Sequence, residues 1–196
     1  MSTRQLAFML VWSAATMLCQ DVPESEGDIK SMPAPRVPFY DWRACPFEGC
    51  SYREWTANKP VDVYDTLDEN RRVVARLSRG QKVQALTGVV ITFKPGVIRI
   101  DRALPERKLK RGDTIFTYAY RGEGFSAVWF NDTYYASYDI SFTRWPDGMG
   151  CGGDHCAATY IDLGEKVWWA KVKLKSGKTG WVNMNNADFD GTCLLA

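Results

Sequence analysis

The chain has 196 residues and a formal net charge of +2, with 25 Lys and Arg against 23 Asp and Glu. That length suits one or two folded units, and 45% apolar residues, including 13% aromatics, are enough to fill a core. Basic residues are dispersed among acidic ones and are densest at Arg71-Arg72 and over 108–111, so no basic stripe forms and nucleic acid is excluded as a partner.

In chain order, Arg4 precedes an apolar run over residues 6–19, and the sequence turns polar at Gln20. A run of about 14 residues suits the core of a secretory leader and falls short of the ~20 that span a bilayer. Residues 1–20 are therefore expected to be a signal peptide, and the protein to be exported to the periplasm or the extracellular space. Ser13 and Ala15 offer a small-x-small cleavage site, and Cys19 offers a second one. Membrane attachment, as a lipoprotein, is expected only if Cys19 is lipidated; Leu18 stands where such a signal takes a small residue. Residues 21–38 carry four prolines (Pro23, Pro33, Pro35, Pro38) and little to bury, the composition of a flexible tether.

The folded part is expected to begin with an aromatic cluster over 39–50 (FYDWRACPFEGC). Cys45 and Cys50 share their spacing with Cys151 and Cys156, and in an oxidising compartment two local disulfides are the simplest pairing. Cys193 is an alternative partner for one member of the second pair. Beyond Trp55 apolar residues recur mostly at two-residue spacing, and no segment has a convincing amphipathic helix; only 73–77 and 136–142 have room for a helical turn. The expectation is an all-β fold.

Two phrases repeat: Leu77-Ser78-Arg79-Gly80-Gln81-Lys82-Val83 and Leu109-Lys110-Arg111-Gly112-Asp113-Thr114-Ile115. Each follows a β-rich run and leads into another, which marks a degenerate internal repeat. Asn131-Asp132 has the composition of a hairpin turn. Residues 167–182 (VWWAKVKLKSGKTGWV) read as a second hairpin: Lys171, Lys173 and Lys175 alternate with Ala170, Val172 and Leu174, and Gly177 supplies the positive φ of the turn.

That hairpin, with Trp169-x-Lys171-Val172, a polar turn and Gly180-Trp181-Val182, resembles the closing hairpin of bacterial SH3-like (SH3b) domains. The phrase L-x-[KR]-G-x-x-V, as at Leu77 to Val83, resembles their front half. The resemblance implies tandem SH3-like small barrels, a first repeat over 39–100 with a disulfide clip and a second over 101–196 with a cysteine-bearing insertion and the closing hairpin. Either the second repeat carries a long insertion over 122–165, or 125–135 forms a diverged closing hairpin of its own. The resemblance further implies a non-catalytic binding module of the bacterial cell envelope, its partner a peptidoglycan stem peptide or an envelope protein.

The residues themselves offer little chemistry. Cys151, His155, Cys156 and Cys193 make a conceivable zinc set, but in an exported chain the cysteines read as a staple and His155 as a solvated turn residue. Glu123, Asp132, Asp139 and Asp147 show no spacing that makes a catalytic pair. No catalytic residue, metal or cofactor is expected. The aromatic residues carry the binding expectation: Trp169 and Trp181 as structural plugs, and Tyr118, Tyr120, Trp129, Tyr134, Tyr135 and Trp168 as a groove for a peptide or extended polymer. The alternative is a secreted inhibitor or accessory subunit whose disulfide-clipped loop, residues 145–158, enters a partner.

Overall fold

The computed structural model describes residues 33–193 other than Asp147 and Met149, and the backbone alone of Asp154; the expected signal peptide, Cys19 and most of the tether lie outside the described residues. Among the described residues there is no α-helix, only strands and two short 3-10 turns. The strands are β1 (Phe39–Trp42), β2 (Glu54–Ala57), β3 (Val61–Tyr64), β4 (Val73–Leu77), β5 (Lys82–Lys94), β6 (Gly96–Ile100) and β7 (Thr114–Gly122). They continue as β8 (Phe125–Phe130), β9 (Thr133–Asp139), β10 (Thr143–Arg144), β11 (Ala158–Asp162), β12 (Glu165–Lys173), β13 (Thr179–Asn183) and β14 (Phe189–Asp190). The stretches with room for a helical turn, 73–77 and 136–142, are mainly strand, because β4 and β9 find antiparallel partners in β3 and β8.

The strands form two curled sheets. The first has the order β14-β2-β5-β12-β13-β3-β4, with β1 pairing on β5; the second has the order β10-β11-β6-β7-β8-β9. One rank order runs through both. In β14-β2-β5-β12-β13 the last strand in the chain lies beside the first, and the second, third and fourth follow as a meander; β11-β6-β7-β8-β9 has the same order. The repeated phrases occupy the same place in each run, entering its second strand. Leu77 and Leu109 are buried, Gly80 and Gly112 turn the chain at φ 80° and 92°, and Val83 and Ile115 are buried on the strand that follows. Both glycines adopt the left-handed conformation that a β-carbon disfavours.

The expected division at residue 100 does not match the sheets. β6 ends at Ile100 and belongs to the second sheet, and the closing hairpin β12–β13 pairs with β5 and β3 of the first. The second run is thus inserted between the second and third strands of the first. The chain leaves through Pro95 and returns through Leu163-Gly164, and Lys94 meets Asp162 at 2.5 Å where the two crossings lie side by side.

Each sheet has its own core. Trp55, Ala57, Val63, Leu77, Val83, Ala170, Val172, Val182 and Phe189 fill the first. Trp55 alone, 0% exposed, has a large apolar surface removed from water, and burying a big side chain is worth about 1.5–3 kcal/mol. Ile98, Ile100, Leu109, Ile115, Val128, Phe130 and Ile140 fill the second. Between the sheets, Phe39 of β1 packs edge-on against Tyr118 of β7 at 5.4 Å, and the buried Thr92 hydroxyl donates to the Tyr118 carbonyl at 2.7 Å. Arg121 and Asp41, both largely covered, add an ion pair at 2.7 Å across the same junction.

Candidate functional site

A cleft lies where the sheets meet. It contains two cavities of about 310 and 250 Å³ that share Tyr120, Ser126 and Trp145. The first is completed chiefly by Phe125, Ile140, Ser141 and Cys151, and the second by Ala44, Pro46, Tyr160, Lys166, Trp168 and Asn185. Trp145 packs on Tyr160 with ring centroids 4.7 Å apart, so the 145–158 loop turns its tryptophan inward against the second sheet.

Both disulfides flank this cleft. Cys45 and Cys50 are bonded, as are Cys151 and Cys156, with Cα separations of 5.5 and 5.3 Å; this is the local pairing the sequence suggested, and it is compatible with an oxidising compartment. The first loop brings Phe47 edge-on to Trp168 at 5.7 Å and places Ala44 and Pro46 in the wall. The second places Cys151 in the wall opposite. Cys193 lies beside the first loop, its backbone bridged to Cys50 and its sulfur 3.9 Å from the Glu48 carbonyl. His155 is exposed.

A chain of hydrogen bonds fixes Trp168. Its indole Nε1–H donates to the Tyr52 hydroxyl at 3.1 Å, and that hydroxyl donates to the Ala44 carbonyl. Its backbone N–H donates to Asn185 Oδ1 at 2.9 Å, while Asn185 Nδ2 donates to the Lys166 carbonyl at 3.2 Å. Gly88 permits this arrangement: a β-carbon there would lie against the Tyr52 hydroxyl, 2.8 Å from Trp168 Nε1 and 2.9 Å from the Ala44 carbonyl.

The electrostatics of the cleft are uneven. Burial pushes the Tyr160 phenol up, and at Tyr120 burial and the Glu48 and Glu123 charges act in the same direction. Glu48, in the first disulfide loop, is raised by a hydrogen bond to the Glu123 carboxyl, by the like charge there and by some burial. Lys166 is lowered by burial. Its position explains why. It follows the parity of Trp168, Ala170 and Val172 along β12 and of Leu174 just past its end, which pack on the first core, whereas Lys171 and Lys173 follow the opposite parity.

Of the six aromatic residues expected to form a groove, the structure brings Tyr120 and Trp168 together in the second cavity. Tyr118 is 3% exposed, and with Trp129 and Tyr134 it packs around Phe39 and Phe116 in the small core between the sheets. Tyr135 packs within the second sheet, 4.8 Å from Phe130 and 5.1 Å from Tyr138. Trp169 is buried, on the opposite face of the first sheet from the main core, with Tyr64 at 5.8 Å and the Arg71 guanidinium 5.2 Å above its ring. Trp181 is half-buried near it.

No family model matches this chain, and no curated protein and no solved structure matches it.

Proposed function

We propose that the protein is an exported, non-catalytic binding module of the bacterial cell envelope, built from two SH3-like units, that recognises a peptidoglycan stem peptide or, failing that, an envelope protein. The observation that carries the reading is the aromatic cleft between the sheets, in which Tyr120, Trp145, Tyr160 and Trp168 converge from four strands or loops. A concave site walled by aromatic rings with a few polar groups suits peptides and small ligands. The shared strand order and the matching positions of the two repeated phrases support the SH3-like reading, with one unit nested in the other. Export is supported by two disulfides that both brace the cleft.

The test is co-sedimentation of the protein with isolated peptidoglycan sacculi at low and moderate salt, beside a control without sacculi. The expected result is pelleting that persists at moderate salt and is lost in Trp168→Ala and Tyr120→Ala, each checked for folding by circular dichroism. Trp129→Ala and Tyr134→Ala, which remove side chains from the core between the sheets, should lower stability and leave pelleting of the folded fraction unchanged. Protein that stays in the supernatant would overturn the peptidoglycan reading and turn the search to pull-downs from envelope extracts.

A further inference from the structure

We propose that the second cavity binds the carboxylate of a small organic acid, with Lys166 as its counter-ion and the faces of Trp145, Tyr160 and Trp168 against its apolar body. The inference rests on the cleft being the ligand site, and goes beyond that reading by fixing the charge and size of what enters it.

The argument starts from the polar groups that line the cavity. Asp41 is the one carboxylate in the lining, and Arg121 holds it at 2.7 Å across the junction of the sheets. Asn185 is committed through both side-chain atoms, to the Trp168 N–H and the Lys166 carbonyl. The Trp168 indole N–H is committed to Tyr52. None of the ion pairs or side-chain hydrogen bonds among the described residues uses the Lys166 ammonium. A partly buried cation without a counter-charge is unfavourable, and burial accordingly holds its pKa below the usual lysine range, with no charged neighbour restoring it. A carboxylate brought to it would form a charge-assisted hydrogen bond in a partly desolvated setting, where such bonds are strongest.

One cation selects a monoanion. A phosphate dianion calls for several donors or a second positive charge, and Lys166 is the one cation in the lining. The volume, about 250 Å³, lies just below the range of drug-sized sites and limits the body of the ligand to a ring or a short aliphatic chain. Tyr120 and Ser126, shared with the first cavity, bound the wall on that side, where the Ser126 side chain is hydrogen-bonded to the Tyr160 phenol.

The probe is phenylacetate, a carboxylate on a single ring, compared with phenylacetamide, its uncharged isostere. Binding is read by titrating the full chain and following the indole N–H signals of Trp145 and Trp168 by NMR. The expected result is saturable binding of phenylacetate with Kd near or below about 1 mM, and of the amide about tenfold weaker or more. Lys166→Met should reduce phenylacetate to about the level of the amide. Equal binding of acid and amide to the wild-type protein, or no saturable shift with either, overturns the proposal without recourse to any variant. Phenylacetate binding that survives in Lys166→Met overturns it as well. Sacculus pelleting separates the two readings. If it persists while phenylacetate fails, the carboxylate assignment falls and the cleft reading stands; if phenylacetate binds at Lys166 while pelleting is absent, the cleft and the carboxylate assignment stand and the peptidoglycan reading falls.

Discussion

Replacing Gly88 with alanine is the sharpest test of how the cleft is built. Gly88 lies on β5 opposite Ala170 of β12, and a β-carbon there meets three oxygen and nitrogen atoms at once. Two of them, the Tyr52 hydroxyl and Trp168 Nε1, belong to side chains that can swing away, and doing so breaks the Trp168–Tyr52 and Tyr52–Ala44 hydrogen bonds. Two such bonds are worth about 0.5–1.5 kcal/mol each. The third atom is the Ala44 carbonyl at 2.9 Å, a backbone group that must move with the adjoining disulfide loop. Overpacking of this kind costs about 1–3 kcal/mol, and the stiffer unfolded chain returns about 0.4–1 kcal/mol. The net expectation is a loss of roughly 1–5 kcal/mol, seen as a urea midpoint lowered by about 1 M or more, together with a displaced Trp168 indole N–H signal. Adding Tyr52→Phe removes the nearest obstructing atom and should recover part of the loss. Gly80→Ala is the contrast: φ is 80° and nothing lies within 4 Å of the new β-carbon, so it should cost about 1–2 kcal/mol through backbone handedness alone and leave the Trp168 signal in place. A Gly88→Ala protein within about 0.5 kcal/mol of wild type, with Trp168 unmoved, would refute the reasoning.

Two further outcomes depend on charge. Because the Glu48 carboxyl is raised above its ordinary value of 4.5 by Glu123, it binds a proton more readily in the folded state than in the unfolded chain. Stability should therefore fall as pH rises from about 4.5 through the raised value, and Glu123→Gln should flatten that fall; an unchanged pH slope in urea melts would remove the carboxyl contact from the account. Lys166 has the opposite sign: with its folded pKa depressed, the penalty is full at neutral pH and relieved as pH climbs toward 10.5, the value it regains on unfolding. Reductive methylation with labelled formaldehyde and NMR titration should place the Lys166 methyl signal's midpoint below 10.5, and phenylacetate should raise it; a midpoint at or above 10.5 contradicts the burial described for this side chain.

What was legible in the sequence was local. The Asn131-Asp132 turn, with φ 47° and 57°, the Gly177 turn at φ 84° and the two disulfide loops follow from residues a few positions apart, and each forms as expected. The partner of the closing hairpin was not legible, because β12 pairs with β5 across the entire inserted sheet, and nothing in the alternation of either strand states which distant edge it meets. The aromatic site was read in part for the same reason. Tyr118, Trp129 and Tyr134 sit on alternating strands whose second face is covered by Phe39, an intrusion from β1 that strand periodicity does not reveal. Lys166 did carry a signal. On the parity that places Ala170, Val172 and Leu174 inward, residue 166 also points inward, and a lysine there departs from the lysine-outside pattern of the same strand.

The side-by-side crossings at Pro95 and Gly164 bear on the order of events during synthesis. As the chain emerges, β1 to β5 appear first but lack β12, β13 and β14, so the first sheet, the outer one in chain order, stays open along the edge of β5 opposite β1 and β2. The whole of β6 to β11 is delivered next and has every strand it needs. Its closure brings Lys94 and Asp162 together, and the long loop that β12 would otherwise have to close is already shortened to a short turn. The inner sheet thus acts as an internal clamp for the outer one, and a lesion in its core, such as at Ile98 or Ile115, will be felt first as a failure of β12 to find β5.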